Sequence, residues 1–297
     1  MKVRVGYGLG TQGLARDDRF GDLVDNLERL GFDSLWLSER ITSAAPDPTV
    51  GLAYAAGRTT RLKFGTSVMV LPGRNPVVLA KELATLDRLS GGRMLPAFGL
   101  GIVHPAEQQA FGVAREDRSA WFEEALPLLR RFWEEDVVDH DGPRFSYQGL
   151  TVLPKPVQKP MDVWLGGRAP GELRRVGRLG DGWLPSFCTP PDVEAGRVLV
   201  EEAAARADRG IDPEHFGVLL PYSDGPLPDA IAAAIAARRP DVDPHDVIAA
   251  GIKDARRMLE RFIDVGFSKF VLVPLVEPMA WDDELEAVAA EVLPLQT

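Results

Sequence analysis

The chain has 297 residues, 45% of them hydrophobic and 26% charged, with a formal net charge of −10. This balance fits a core-forming globular protein. It argues against nucleic acid as a partner, because no lysine or arginine block offsets the acidic excess. The single cysteine, Cys188, excludes an internal disulfide framework. The N-terminus lacks a signal peptide's apolar core, and no uncharged apolar run is long enough to span a membrane, so a cytoplasmic protein is expected.

Short β-branched or apolar runs alternate with longer amphipathic segments. Residues 3–9 read as a strand, after which Phe20, Leu23, Val24, Leu27 and Leu30 recur at helical spacing until Gly31. Residues 34–38 read as a second strand, and 48–59 as a helix with Asp47 at its N-cap. A third strand is expected over 63–70, followed by a helix over 76–90 between Asn75 and Gly91-Gly92. Residues 94–99 form a fourth strand and 117–133 a long helix. Between 137 and 160 the alternation breaks, and Asp141-Gly142 signals a hairpin. Strands over 163–166, 182–185, 215–221 and 269–273 then alternate with helices over 171–180, 191–209, 253–265 and 283–293. Residues 222–251, rich in Pro, Ala and Asp, suggest one or two short helices. Such alternation requires helical crossovers between parallel strands. The expected fold is an α/β (β/α)8 TIM barrel, one domain over 1–297, with an insertion after the fourth βα unit at about 137–160. An open doubly wound sheet is the competing architecture.

The stretch from Pro154 to Arg168 carries the most functional information. Three prolines, Pro154, Pro156 and Pro160, stiffen the entry to an apolar run that ends in Gly166-Gly167-Arg168, and Pro170 is a favoured first helical position. Strand, glycine turn, helix N-terminus and arginine form a cradle for an anion such as phosphate. In the third strand, the small polar Thr66 and Ser67 suggest a bulge or a close approach of ligand, or hydroxyls bonded back to the backbone. Gly8-x-Gly10-x-x-Gly13 matches a dinucleotide fingerprint, with Glu39 at the end of strand two, but the helical period starts only at Phe20. A flexible first βα loop is the better reading. His104, His140, His215 and His245 lack metal-ligand spacing, so no metal site is expected. His104 follows strand four and Cys188 strand six, so both could face a barrel mouth. Glu39 and Arg40 end strand two and point there as well, paired with each other or holding a polar ligand group.

Taken together, these residues resemble the luciferase-like monooxygenase superfamily, in its branch of actinobacterial oxidoreductases using the deazaflavin coenzyme F-420. The resemblance rests on Gly31-Phe32-Asp33-Ser34-Leu35-Trp36, Gly65-Thr66-Ser67-Val68, Asn75 to Lys81, Thr85 to Arg93, Glu107 with Ala110 to Val113, and the Pro154–Gly167 segment. It implies a barrel, often dimeric, with a flavin-type ring at the C-terminal ends of the strands. It also implies a bulge with a non-proline cis peptide at Ser67-Val68. On this resemblance Thr66, Ser67, Val68 and Gly99 lie at the ring, and Gly166, Gly167, Arg168 and Ala169 hold the phosphate. Arg40 and Cys188 would line the substrate space, and Glu39 or His104 would donate a proton. Two departures stand out: Ser38-Glu39-Arg40 replaces the family's Asp-His after strand two, and Ile102 stands where some members carry a glutamate. The expected function is hydride transfer between reduced coenzyme F-420 and a small organic substrate. The alternatives are an FMN-dependent two-component monooxygenase and a non-catalytic flavin-binding barrel.

Overall fold

The computed structural model describes residues 1–11 and 19–297. Its strands are β1 (Arg4–Gly8), β2 (Ser34–Leu37), β3 (Lys63–Thr66), β4 (Met69–Val70), β5 (Met94–Leu95), β6 (Ala97–Gly99), β7 (Val138–Asp141), β8 (Ser146–Leu150), β9 (Trp164–Leu165), β10 (Gly182–Trp183), β11 (Gly217–Ser223), β12 (Ala249–Ala250) and β13 (Lys269–Pro274). Its helices are α1 (Arg19–Leu30), α2 (Pro48–Arg58), α3 (Pro76–Ser90), α4 (Pro105–Phe111), α5 (Arg118–Glu134), α6 (Pro170–Leu179), α7 (Pro190–Arg206), α8 (Asp229–Arg238), α9 (Ile252–Asp264) and α10 (Trp281–Val292). Among the described residues no helix is long and apolar enough to cross a membrane.

One sheet runs β12-β11-β13-β1-β2-β3-β5 and a second runs β10-β9-β6-β4, all in parallel. They belong to one circuit. β3 and β4 are halves of one barrel strand, β5 and β6 of the next, and parallel bridges at Trp183–Phe216 and Ser186–Leu219 carry the pairing from β10 to β11. The order returns to the start because β13 pairs with both β11 and β1. This is the barrel order expected from the alternation, with the antiparallel β7–β8 hairpin as the insertion.

Both broken strands have a local cause. Pro96 lacks an N–H, so it cannot donate to the ladder. Pairing resumes with Thr66, Ser67 and Val68 facing only Pro96 and Ala97, which is a bulge on the third strand. The Thr66 hydroxyl substitutes for the missing ladder bonds: it donates to the Ala97 carbonyl at 2.6 Å and accepts from the Ala97 N–H at 2.8 Å.

Helix α3 starts and stops where its sequence dictates. The Asn75 side chain accepts from the amides of Val77 (2.9 Å) and Val78 (3.3 Å), Pro76 takes the first turn, and Gly91 ends the helix at φ 70°. Its buried Asp87 accepts from the Val157 amide (2.6 Å) and the Gln158 side chain (2.7 Å), which pins the proline-rich entry segment beside strand five. Helix α4 was not anticipated. Seven residues are too few to establish a period, and only Pro105 and the left-handed Gly112 (φ 65°) mark its ends.

The barrel lumen is filled by Trp36, Ala97, Trp164, Leu184, Val271 and Val273. Glycines on neighbouring strands make room for the two indoles: a Cβ on Gly65 would lie 2.1 Å from Trp36, and one on Gly182 2.5 Å from Trp164. Below them, at the N-terminal ends of the strands, Asp33 accepts from Lys63 Nζ at 2.9 Å, pairs with Lys269, and lies 3.7 Å from Arg4. Burial alone would raise the Asp33 carboxyl, but the Lys269 and Lys63 charges outweigh it and hold the group down at about 2.

Candidate active site

A cavity of about 430 Å³ opens at the C-terminal ends of the strands, the end where barrel sites gather. Its floor is apolar, formed by Val68, Phe98, Leu165, Leu184 and Leu219. Ser38, Glu39 and Arg40 bound it on the β2 side, and Gly166 to Ala169 on the β9 side.

The third-strand bulge enters this cavity. The Ser67-Val68 peptide is cis. Strand β2 holds both residues: the Ser67 amide donates to the Leu37 carbonyl (2.8 Å), the Glu39 amide to the Val68 carbonyl (3.2 Å), and the Ser38 hydroxyl to the Ser67 carbonyl (2.9 Å). The Val68 side chain needs glycine on both flanks. A Cβ on Gly99 would come within 2.5 Å of it, and one on Gly166 within 3.3 Å.

Glu39 does not pair with Arg40. One of its oxygens pairs with Arg74, and the other accepts from the Val70 amide at 2.6 Å. Arg74 also donates to the Val70 carbonyl at 3.1 Å, so the ion pair clamps the far side of the bulge. Burial pushes the Glu39 carboxyl above the usual carboxylate range, even against the Arg74 charge. Glu107, from α4, is similarly engaged: its oxygens accept from the amides of Ile41 (3.3 Å) and Thr42 (3.0 Å) and from the Thr42 hydroxyl (2.8 Å). Burial raises the Glu107 carboxyl, but the Thr42 and Ile41 donors more than reverse this and hold it below its usual value.

The predicted cradle needs a correction. Gly167 adopts φ 105°, and its amide has no partner among the described residues. The amides of Arg168 and Ala169, however, donate to Glu172 Oε2 at 2.8 and 2.9 Å. A glutamate in the first turn of α6 therefore already satisfies two of the N–H groups expected to meet an anion. What the mouth keeps free is side-chain charge. The guanidinium groups of Arg40, Arg168 and Arg238 line the cavity and form no ion pair with any described residue. Arg238 lies 5.4 Å over the Phe187 ring, and partial desolvation, then the Arg168 charge, lower its guanidinium from the usual value. The buried Arg118 donates to backbone carbonyls, Ile102 at 2.8 Å the nearest, and pairs with no carboxylate among the described residues.

Of the expected site residues, Glu39, Arg40, Ser67, Val68, Gly99, Gly166, Gly167, Arg168 and Ala169 line this cavity. Thr66 lies beneath it, with its hydroxyl committed to Ala97. Two placements differ from expectation. Cys188 faces inward rather than lining the mouth: it is 2% exposed, its thiol reaches the Ser186 carbonyl at 3.4 Å, and burial pushes the thiol up to about 12. His104 is exposed and outside the lining, where it precedes α4. Of the fingerprint Gly8-x-Gly10-x-x-Gly13, Gly13 lies outside the described residues, as do 14–18. Sequence reasoning missed Arg74, Arg118, Glu172 and Arg238. Only Glu172 had a local signal, an acid at the third position of a helix.

The fold and this site define a (β/α)8 barrel with an apolar-floored cavity whose lining includes Arg40, Arg118, Arg168 and Arg238. The chain belongs to the luciferase-like monooxygenase family, whose model matches residues 2–259. It is 30% identical over 225 residues to an F-420-dependent glucose-6-phosphate dehydrogenase of Kineococcus radiotolerans, covering 71% of this chain and 66% of that relative's length. It superposes on an F-420-dependent secondary alcohol dehydrogenase in complex with an F-420–acetone adduct at a TM-score of 0.83, with 19% identity and 100% of each chain covered. It is similar also to the oxygenating constituent of 3,6-diketocamphane monooxygenase from Pseudomonas putida in complex with FMN, at a TM-score of 0.77 and 18% identity over 100% of this chain and 99% of that one. At these identities the two structural likenesses are likenesses of fold.

Proposed function

We propose that this protein is an oxidoreductase that passes hydride between reduced deazaflavin coenzyme F-420 and a small organic substrate. The observation that carries the reading is the composition of the cavity: an apolar floor for a planar ring, together with two arginines, Arg168 and Arg238, that form no ion pair with any described residue. The space is of ligand size, and Gly99 and Gly166 make room for the Val68 side chain at its floor. An acidic cofactor tail fits the side of the mouth that carries Arg168 and Arg238, and a relative named for coenzyme F-420 supports the choice.

When bound, the deazaflavin supplies the hydride chemistry. The chain's own residues bind, orient and shield. Val68 and the bulge support one face of the ring, held by β2 and by the Glu39–Arg74 pair. Arg168 and Arg238, with the free Gly167 amide, hold the anionic group. Glu107 fixes the loop carrying Arg40 against the mouth and limits water entry. Glu39 acts as a positioning residue rather than a proton donor, because both its oxygens already accept.

Titrating purified protein with oxidised F-420 and with FMN tests the reading. It expects F-420 to bind at least about tenfold tighter than FMN. Tight FMN binding with no F-420 binding would establish the monooxygenase alternative instead.

A further inference from the structure

We infer that the β2 end of the cavity is a recognition site for an oxyanion on the substrate, with Arg40 as the residue that selects it, so that the substrate is a carboxylate-bearing compound. The inference rests on the reading above only for which end of the cavity is left to the substrate. Pairing order places strand three (β3 and β4), strand four (β5 and β6) and the bulge between β2 and β9. Arg40 and Arg168 therefore face the cavity from separate sides. If the β9 side takes the cofactor's anion, the β2 side faces the substrate.

At that side the two lining carboxylates take their hydrogen bonds from other donors. Glu39 is held by Arg74 and the Val70 amide, and Glu107 by Ile41 and Thr42. The Arg40 backbone is fixed, because its carbonyl accepts from the Ser43 amide (3.1 Å) and hydroxyl (3.0 Å). The guanidinium it carries has no partner among the described residues. Glu107 feels the Arg40 charge without bonding to it, so a half-buried cation on an anchored loop, with each of these acids hydrogen-bonded to other donors, keeps its own donors for a ligand. A planar carboxylate suits the guanidinium fork in two parallel bonds. A neutral ketone or alcohol would leave that charge partly desolvated and unmatched.

The test is isothermal titration of cofactor-free and F-420-loaded protein with hexanoate, benzoate, cinnamate and 4-oxopentanoate, each against its own amide. At least one acid is expected to bind about tenfold or more tighter than its amide. Arg40→Gln should abolish that preference, Arg40→Lys should keep part of it, and F-420 affinity should stay within about twofold in both variants. If no acid is preferred over its amide, or if Arg40→Gln leaves the preference intact, the inference is overturned. It is overturned equally if Arg40→Gln chiefly weakens F-420, since the residue would then belong to the cofactor. If F-420 fails to bind wild-type protein while the acid preference still follows Arg40, the cofactor reading falls and the anion site stands.

Discussion

The two ends of the barrel treat charge in opposite ways. At the N-terminal end, Asp33 is surrounded by Lys269, Lys63 and Arg4, and the chain neutralises its own buried groups. At the C-terminal mouth, Arg40, Arg168 and Arg238 stand without such partners among the described residues, and the nearby acids are bonded to amides or to Arg74. Charge that is matched internally serves stability. On the proposed reading, charge without an ion pair around an apolar cavity is left for a ligand. Substitutions at the first end should therefore move unfolding and spare binding, and substitutions of the mouth arginines should do the reverse.

The largest effect is expected from Asp33→Ala. It leaves Lys269 buried and unpaired, and should lower the unfolding free energy in urea by about 3–5 kcal/mol. A loss below about 1 kcal/mol would mean that the cluster is solvated. Next comes acid. The Asp33 pKa is lower in the folded chain, at about 2 against an ordinary value of 3.8, so its contribution is present above the unfolded value and disappears as pH falls through that window. Stability should decline by roughly 2 kcal/mol from this group, and Asp33→Asn should lack that part of the slope. At the mouth, Arg168→Gln should weaken F-420 binding by about 1–3 kcal/mol while leaving the urea midpoint in place. Unchanged affinity would place the anion elsewhere. The smallest effect is expected from Glu172→Ala, which frees the Arg168 and Ala169 amides and removes the acid of the first α6 turn. It should cost about 1 kcal/mol of stability. It should also tighten F-420 binding if those amides then reach the anion.

Local chemistry made much of the barrel legible. Helices α2 and α3 begin at Asp47 and Asn75, whose side chains accept from the first-turn amides, and α3 ends at a left-handed Gly91. The third-strand bulge was signalled by small polar residues where a buried strand prefers bulk. Helix α4 was not legible, because it is shorter than two helical periods. The β9 side of the site could be read because Gly166 to Ala169 are adjacent in sequence. The Glu39–Arg74 clamp, the Glu107 anchor and the approach of Arg118 and Arg238 join residues far apart in the chain, and no spacing rule connects them. Glu172 is the instructive case. Glycines and a helix start suggested free amides, but the helix's own third residue had taken two of them. On the proposed reading, the anion-binding role passes from backbone to arginine side chains.

The central claim is that Arg168 and Arg238 receive an anionic redox cofactor. The most direct measurement is calorimetric titration of F-420 into wild-type protein and into the Arg168→Gln/Arg238→Gln double variant, with urea midpoints recorded for both. The account predicts tight binding by the wild type, a loss of about a hundredfold in the double variant, and equal midpoints. Equal affinity in the two proteins, or no binding of F-420 by the wild type, would contradict it.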